Sequence, residues 1–258
     1  MKNKLHEKIA TKLVTAFLKD KIINPIPSIF TKKLSKANYF RKLCESKIKK
    51  PVIGFKAGGT GIPLLKKLKE KEPFYAAVYK HNFLKNNNKV KINKFTLGIE
   101  LEVCYLLKKE VLNINKKITR SNLKKFITHM APCIEVVGYR QKKRGIKTLG
   151  DLCSDFGGNQ KFVIGNNKKF KFLNLKNLKT NISNHKIKQS VFGNTNTVYV
   201  DPLNSLVFVL NKLLKDKIKC NQNFYVFTGS TVGVVPILAK GIYIGKIKNL
   251  GTVRAKIS

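Results

Sequence analysis

Acidic side chains are scarce in this 258-residue sequence, which has 13 Asp plus Glu against 53 Lys plus Arg and a formal net charge of +40. Long apolar runs are missing too. None reaches the roughly 18 residues that a membrane-spanning helix needs, so a membrane protein is not expected. Hydrophobic residues nevertheless make up 43% of the chain, a composition that excludes general disorder. The length predicts one large domain with a sizeable core.

Cysteine pairs with metal-binding spacing are also missing. The five cysteines, Cys44, Cys104, Cys133, Cys153 and Cys220, are odd in number and widely spaced, with no C-x-x-C pair. This pattern argues against a zinc cluster and against a disulfide framework. Cys104 and Cys133 lie in apolar runs, where we expect them to be small buried side chains.

Arginine is rare among the basic residues, with five arginines against 48 lysines. Lysine neutralises phosphate in any sequence context, which leaves a nucleic-acid-binding role open. Arginine is the usual side chain for reading bases and clamping phosphates, however, and the lysines are spread along the chain without a nucleic-acid-binding motif. A solvated lysine-rich surface is the favoured interpretation, and a nucleic-acid partner is not expected.

The N-terminal residues predict a helical segment ahead of the main domain. Apolar residues recur at helical spacing from Leu5 to Phe17, which is typical of an amphipathic helix. Charges interrupt this stretch throughout, so it lacks the apolar centre of a secretory signal, and we expect a cytoplasmic protein. We place the N-terminal helical segment at residues 1–50 and the main domain at residues 51–258.

The main domain is rich in predicted strands and has few predicted helices, so the expected fold class is α+β. One helix is predicted at residues 121–130, capped by Ser121 and ended by Pro132, and another has Asp201 as its N-cap. A loop is expected over residues 141–152. Short apolar or alternating stretches predict strands at residues 74–80, 97–107, 133–139, 161–165, 224–236 and 241–247, and residues 51–63 predict a strand that runs into a glycine-rich turn. Hairpins are expected between residue 165 and Val200.

Two of the scarce carboxylates lie in an apolar strand. In the stretch G-I-E-L-E-V, Glu100 and Glu102 are two residues apart, so in a strand they project from the same face, roughly 6–7 Å apart at the backbone. Two like charges this close raise each other's pKa unless a cation neutralises them. Lysines on a wet surface could do this. Mg²⁺ or Mn²⁺ would do it better, because hard ions prefer oxygen ligands.

A third carboxylate, Glu135, interrupts the apolar run C-I-E-V-V. An unpaired charge would be costly in such a setting. If the two strands converge, all three carboxylates can hold one ion and leave positions open for a substrate. A solvated strand face is the alternative for Glu100 and Glu102, and the apolar setting of Glu135 favours the metal site.

Seven segments resemble one known family, and they occur in the family's order. They are I-G-F-K-A-G-G-T (53–60), I-E-L-E-V-C-Y-L-L (99–107), A-P-C-I-E-V-V-G-Y-R (131–140), D-L-C-S-D-F-G-G (151–158), F-V-I-G (162–165), D-P-L-N-S-L-V-F-V-L-N-K-L (201–213) and F-T-G-S-T-V-G-V-V-P (227–236). Over about residues 50 to 257 the chain resembles the 2-keto-4-pentenoate hydratase / 4-oxalocrotonate decarboxylase family of the fumarylacetoacetate hydrolase superfamily. The separation between the E-x-E pair and I-E-V-V-G is the most specific part of the resemblance.

The resemblance implies a strand-rich fold of the fumarylacetoacetate-hydrolase type with a mixed β-sheet, a homo-oligomer, and a divalent ion, Mg²⁺ or Mn²⁺. The residues that match the family's motifs are Glu100, Glu102 and Glu135 for the metal, Lys56 and Asp155 for catalysis, and Thr228, Gly229 and Ser230 for the substrate carboxylate.

Three departures from the family pattern concern positions that shape substrate choice and proton transfer. An expected aspartate is replaced by His81, A-D-N-x-S by S-D-F-G-G-N, and G-L-T-S by G-G-T-G. His81 either takes over a catalytic proton-transfer role or is a surface histidine. The other three histidines are expected to be structural or exposed.

The chemistry that the resemblance implies is that of small 2-oxo acids. Such an acid chelates a metal through a carboxylate oxygen and its keto oxygen, and the ion stabilises enolate charge. The implied reaction is isomerisation of a 2-hydroxydienoate, followed by addition of water at C4 to give a 4-hydroxy-2-oxo acid. Lys56 is expected to add electrostatic stabilisation and to shuttle protons, with a pKa lowered by burial near the metal.

Three alternatives to the hydratase stay open. Two are sibling enzymes on 2-oxo acids: a decarboxylase of the oxalocrotonate type and a C–C hydrolase of the acylpyruvate type. The hydrolase would need a His–Glu pair to activate water, and the sequence shows no clear histidine for it. The third alternative, from a different class, is a basic binding protein on a degenerate enzyme scaffold.

Overall fold

The computed structural model describes residues 2–142, 145–171 and 174–258. Within these residues the chain is strand-rich α+β, as predicted. The helices are α1 (Lys2–Leu18), α2 (Leu34–Ser46), α3 (Ile62–Lys67), α4 (Arg120–Leu123), α5 (Leu149–Ser154) and α6 (Pro202–Lys215). The strands are β1 (Val52–Gly58), β2 (Phe74–Tyr79), β3 (Phe83–Lys85), β4 (Lys89–Val90), β5 (Thr96–Leu107), β6 (Ile127–Gly138), β7 (Asn159–Ile164), β8 (Lys168–Lys169), β9 (Lys179–Asn184), β10 (Gln189–Asn194), β11 (Phe224–Ser230), β12 (Gly241–Ile247) and β13 (Gly251–Ile257).

The larger sheet of the described part of the chain is mixed and has the order β2-β1-β11-β5-β6-β7-β3, with β8 paired to β6. Its centre is the antiparallel pair β5 and β6, which are 12 residues long each. Strand β1 runs parallel to β11, and β3 runs parallel to β7. This order brings β1, β11, β5 and β6 side by side, so residues far apart in sequence share one face of the sheet.

The smaller sheet has the order β10-β9-β12-β13-β4 and packs its strands β12 and β13 against β6 of the larger sheet. Gly245 on β12 lies at this contact. A Cβ atom at that position would come within 2.5 Å of the Leu101 side chain. A residue with a side chain would therefore displace the Leu101 side chain, and glycine allows the close approach of the two sheets.

The helices cover the sheets and contribute to the same core. Leu13 and Phe17 of α1 and Phe40 of α2 are buried in one apolar cluster with sheet residues such as Tyr79. Helix α6 begins as predicted, because the Asp201 side chain accepts a hydrogen bond from the Leu203 backbone N–H at 2.9 Å. None of the helices in the described ranges combines the length and apolarity needed to cross a membrane.

The helix predicted at residues 121–130 is observed only in its first part. Helix α4 ends at Leu123, one 3-10 turn follows, and β6 begins at Ile127. The N-cap is Thr119, whose hydroxyl accepts a hydrogen bond from the Asn122 backbone N–H, and not Ser121. Residues 127–130 have helical spacing of apolar side chains, but they pair with β5 instead. The antiparallel ladder provides hydrogen-bond partners for backbone groups that would have none at the end of a short helix.

Pro132 lies inside β6 and does not end a helix. It is opposite Val103 of β5, and the Val103 carbonyl accepts a hydrogen bond from Thr228 of β11, on the other side of β5. The missing proline N–H therefore removes no hydrogen bond between β5 and β6. The loop predicted at residues 141–152 is also only partly observed, because α5 begins at Leu149; Lys143 and Arg144 lie outside the described residues.

Candidate metal centre and active site

Three carboxylates meet on one face of the larger sheet. Glu135 of β6 is directly opposite Glu100 of β5 in the antiparallel register, and opposed residues project from the same face. Glu102 is two residues further along β5 and projects with them, while Leu101, between them, is fully buried on the other face. One oxygen atom of each carboxylate lies within 4.8 Å of the others. The predicted convergence of the three carboxylates is confirmed.

Lys56 reaches the same cluster from β1. It is opposite Phe227 of β11, which is opposite Cys104 of β5, so its side chain leaves the sheet beside Glu102. The Lys56 ammonium donates to Glu135 Oε1 at 2.5 Å and to the Gly157 carbonyl at 3.1 Å. The structure thus brings together the four residues predicted for the metal and for the active-site lysine.

The cluster has three carboxyl groups for one ammonium group. Burial and the neighbouring charge of Glu135 raise the pKa of Glu100 to about 7, although Lys56 opposes the shift. Burial and Glu135 likewise raise the pKa of Glu102. A single ammonium cannot balance three carboxylates, and a further cation would stabilise their charged forms.

The neighbouring carboxyl groups raise the pKa of Lys56. Burial alone lowers it, but the charges of Glu135, Glu100 and Glu102 outweigh burial and raise it above its ordinary value. The direct ion pair with Glu135 favours the protonated amine. The lowered pKa was expected for Lys56 beside a bound metal ion, and it stays a prediction.

Two oxygen atoms of the cluster have no hydrogen-bond partner among the described residues. Glu102 Oε1 and Glu135 Oε2 are both buried and unpaired, whereas Glu102 Oε2 accepts from the Gly229 backbone N–H at 3.0 Å. Buried unpaired carboxylate oxygens are costly. The donor set of three carboxylates fits a hard divalent cation such as Mg²⁺ or Mn²⁺, which would satisfy both orphaned atoms.

The Gly229 turn positions one of these carboxylates. The pairing of β11 with β5 shifts register between Phe227 and Ser230, and Gly229 has a φ of +109°. A Cβ atom there would lie 2.1 Å from Thr60 Oγ1, so glycine is required. Gly229 and Ser230 line the cavity above the carboxylates, but the Thr228 hydroxyl donates to the Val103 carbonyl and faces the sheet.

A cavity of about 510 Å³ opens above the cluster, with Lys56 and Glu100 at its floor. Glycines and small polar residues, among them Gly59, Thr60 and Gly157, surround the floor. Further out the lining is mostly apolar. The arrangement can bind a small anion at the floor, where a cation and the Lys56 ammonium would meet it, and less polar groups beyond.

Asp155 lies apart from this cavity in a buried ion pair. Its Oδ1 is 2.9 Å from Arg140 Nε, and its Oδ2 accepts from the Arg140 backbone N–H at 2.8 Å. The Arg140 guanidinium also donates to the Asn159 carbonyl at 2.6 Å. Asp155 is not among the described residues that line the cavity. Its place indicates a positioning role, since it anchors the turn that carries Gly157.

His81 is not brought to the carboxylates either. It follows β2 in a 3-10 turn, stacks on Tyr79, and packs edge-on against Phe17. It lines a separate polar cavity of about 110 Å³ together with Lys161 and Arg140. Burial and the charge of Lys161 lower the pKa of His81.

No protein-family model matches this sequence, and no curated protein sequence matches it. Solved structures do match. The 4-oxalocrotonate decarboxylase from Pseudomonas putida G7, complexed with magnesium and adipate, has a TM-score of 0.85 and 17% identity over 100% of this chain and 99% of that chain. A Yersinia pestis CO92 protein named for the fumarylacetoacetate hydrolase family has a TM-score of 0.57 and 13% identity, over 82% and 95%. The chain has the fumarylacetoacetate-hydrolase fold.

A third structure with this fold is the fumarylpyruvate hydrolase from Pseudomonas aeruginosa in complex with Mn²⁺ and pyruvate. It has a TM-score of 0.55 and 11% identity over 82% of this chain and 91% of that chain. At such identities the similarity concerns the fold. The fold predicted from the ordered motifs is confirmed.

Several residues of the site were missed from sequence. The Gly157 carbonyl belongs to S-D-F-G-G-N, which was noted only as a departure from the family motif, although its Gly-Gly pair was a signal for unusual backbone; Gly157 has a φ of +71°. The rarity of arginine in the chain was a signal that Arg140 has a specific structural role. The apolar residues at the cavity mouth, such as Phe192, carried no signal, because they lie in ordinary alternating strands.

Proposed function

We propose that this protein is a divalent-metal-dependent hydratase of the 2-keto-4-pentenoate hydratase family. It would convert 2-hydroxydienoate or 2-keto-4-pentenoate-type acids into 4-hydroxy-2-oxo acids. One observation carries the proposal: three converging carboxylates, two of them with an orphaned buried oxygen, lie beside Lys56 at the floor of a cavity. This donor set suits the metal chelation of a 2-oxo acid.

The chain's own residues would hold and orient the reactants. Glu100, Glu102 and Glu135 would hold Mg²⁺ or Mn²⁺, which supplies Lewis-acid polarisation of the 2-oxo group when bound. Gly229 keeps Glu102 in place through its backbone N–H. Two of the three Lys56 ammonium protons are engaged by Glu135 and the Gly157 carbonyl.

The remaining Lys56 N–H bond is available to an oxygen of the substrate. Lys56 lines the cavity floor, so this donor can stabilise the negative charge that develops on the 2-oxo oxygen as the enolate forms. Gly229 and Ser230 line the same cavity where the substrate carboxylate would bind. The apolar outer walls would exclude bulk water, so that the added water molecule is a bound one.

The test is Mg²⁺-dependent turnover of 2-hydroxypenta-2,4-dienoate, which is measured as the decrease in the absorbance of the dienol. Glu100→Ala and Glu135→Ala should abolish turnover and leave the circular dichroism spectrum unchanged. Glu110→Ala is the matched control, because Glu110 is an exposed carboxylate away from the cavity, and it should retain full activity. Unchanged turnover in both cluster variants would contradict the proposal.

A decarboxylase is the second candidate, favoured by the similarity to 4-oxalocrotonate decarboxylase over the whole chain with a TM-score of 0.85. If the protein releases CO₂ from a 2-oxo dicarboxylate and does not hydrate the dienoate, it is a decarboxylase and not a hydratase. A C–C hydrolase has less support. All four histidines lie in the described residues, and none lines the cavity to activate water.

The basic binding protein remains the non-enzymatic alternative. A binding protein of this kind should turn over neither kind of acid. It should form a complex with duplex DNA or RNA that persists at roughly 150 mM salt. Loss of binding at that salt concentration, together with Mg²⁺-dependent turnover, would remove it.

A further inference from the structure

The smaller sheet has an outer face that is open to solvent. Along its strands the inward residues, such as Tyr243, Val253 and Ile257, are buried, and the residues between them are exposed or half-buried. The strand register aligns these outward residues in three cross-strand rows. The rows are Phe192–Asn181–Lys246–Thr252, Ser190–Ser183–Ile244–Arg254 and Ile242–Lys256–Lys89.

Five cations without partners lie on this face. Lys246, Arg254, Lys256 and Lys89 belong to the rows, and Lys179 is two residues before Asn181 on the same side of β9; all five are exposed. Among the described residues, no ion pair or hydrogen bond involves any of these five side chains. Like charges held this close repel one another, and a negatively charged partner would relieve the repulsion.

The sequence around the face supplies no balancing carboxylate. None of the 13 acidic residues lies at positions 73–99, 156–200 or 217–258, which include all five strands of the smaller sheet. Exposed acids such as Glu7 and Glu110 lie on α1 and next to β5. The helical surface therefore carries both signs of charge, whereas the outer face of the smaller sheet carries one.

Apolar side chains lie among the cations. Phe192 is 78% exposed, Ile242 is 45% exposed, and Ile244 is half-buried in the row between them. A single-stranded nucleic acid stacks its bases on aromatic rings and would leave the isoleucines without a partner. The surface of an anionic bilayer offers phosphates to the cations and an apolar boundary to the isoleucines. The predominance of lysine over arginine also fits lipid better than nucleic acid.

We propose that the outer face of the smaller sheet docks on the surface of an anionic lipid bilayer. Lys246, Arg254 and Lys256 would contact lipid phosphates, and Phe192 and Ile242 would enter the interfacial region. The protein would lie on the bilayer and not span it. Charge complementarity carries the choice of partner, since each lysine or arginine near an anionic membrane adds to the attraction. The inference is independent of the proposed function, because no residue of the cavity floor takes part.

Co-sedimentation of the full chain with vesicles tests the inference. Two kinds of vesicle are compared at roughly 150 mM salt, one of phosphatidylcholine alone and one that also contains about 30% phosphatidylserine. The protein should bind the vesicles with phosphatidylserine and not the others. Binding to neither kind, or equal binding to both, would overturn the inference.

Charge reversal assigns the binding to this face. The double variant Arg254→Glu, Lys256→Glu should bind at least about 25-fold more weakly, because each cation near an anionic surface contributes about fivefold. The control, Lys8→Glu with Lys12→Glu, makes the same change in net charge with exposed lysines of α1. It should weaken binding less than about threefold. Equal weakening in both would show that net charge alone attracts the protein, which would overturn the inference.

The apolar contribution separates lipid from nucleic acid. Ile242→Ser should weaken vesicle binding about threefold or more through lost apolar burial, whereas Ile29→Ser, at a side chain of similar exposure (58%) in a 3-10 turn, should not. Unchanged vesicle binding by Ile242→Ser would contradict entry into the bilayer. A single-stranded RNA oligonucleotide that binds more tightly than the vesicles, and that is unaffected by Ile242→Ser, would overturn lipid as the partner.

Discussion

Two buried ionic clusters border the segment at residues 155–158, and they differ in charge balance. Asp155 and Arg140 form a one-to-one pair, and the guanidinium also donates to the carbonyls of Asn159, Asp155 and Gly138. The cluster around Lys56 has one ammonium for three carboxylates and two orphaned oxygens. The balanced pair holds the chain in place, whereas the unbalanced cluster is neutralised either by protonation of its carboxyl groups or by a bound cation.

The two clusters are also connected. Asp155 is fixed by Arg140, and two residues later the Gly157 carbonyl accepts from the Lys56 ammonium. The pair therefore supports Lys56 through the 155–158 segment, and neither Asp155 nor Arg140 is among the described residues that line the cavity. Substitutions in the two clusters should separate stability from ligand binding.

The largest expected effect is on stability, from Asp155→Asn. It leaves the buried Arg140 guanidinium without its carboxylate, which should lower the free energy of unfolding by about 3–5 kcal/mol. Urea titration measures this, and Mg²⁺ affinity of the folded protein should change less than about threefold. The double variant Asp155→Leu, Arg140→Met should recover much of the loss, because it removes both charges. Weakened Mg²⁺ binding at unchanged stability would instead place Asp155 in the active site.

Glu102→Gln should affect Mg²⁺ affinity and not the stability of the metal-free protein, the reverse of Asp155→Asn. Mg²⁺ affinity should fall by about 100-fold or more, since a direct ligand matters at least as much as the groups that support ligands. Stability in EDTA at pH 8 should not fall, because a neutral amide replaces a buried carboxyl group whose pKa is raised, and the Gly229 hydrogen bond can persist. Glu110→Gln, an exposed carboxylate, is the control and should change neither quantity. A fall in metal-free stability would show that the cluster is not overcharged.

Gly229→Ala should moderately lower both the stability of the protein and its affinity for Mg²⁺. The new Cβ would clash with Thr60 Oγ1 and the φ of +109° disfavours a side chain, so a loss of about 1–3 kcal/mol is expected. Displacement of the N–H from Glu102 should weaken Mg²⁺ binding about tenfold. Gly233→Ala is a matched control, with a φ of +74° but open space around its Cβ. It should cost less stability and leave Mg²⁺ affinity unchanged.

The smallest effect is expected for His81→Asn, which should leave kcat within about twofold, because His81 lies in the other cavity. The pKa of His81 in the folded protein should lie below about 6.5, the ordinary value, as an NMR titration of its ring protons can measure. The unfolded chain then binds a proton that the folded chain does not. Stability should therefore fall as the pH drops below about 6.5, and this part of the dependence should vanish in the variant.

The three glutamates of the candidate metal centre could be predicted from sequence for a simple reason. Glu100 and Glu102 alternate with buried apolar residues, and period-2 alternation is a local property of a strand. Glu135 stood out because a charge in an apolar run needs a partner. The homo-oligomer, the cytoplasmic location and the division of the chain at residue 50 stay predictions.

Other features depend on partners that are distant in sequence. Residues 127–130 have helical spacing and yet form a strand, because β5 pairs with them. Asp155 matches a catalytic motif position and yet pairs with Arg140, 15 residues earlier. His81 replaces a family aspartate and yet faces Phe17 of the N-terminal helix. Local pattern could not reveal any of these contacts.

By itself the sequence determined the carboxylate pair, the third glutamate, the lysine and the order of the family motifs. These follow from spacing along the chain and from the cost of charge in apolar surroundings. Only the tertiary structure decided that the negative charges outnumber their cation, that Gly157 orients Lys56, and that Leu97, Phe192 and Val234 meet at one mouth. Those facts depend on which strands become neighbours in the sheets, and long-range packing sets that choice.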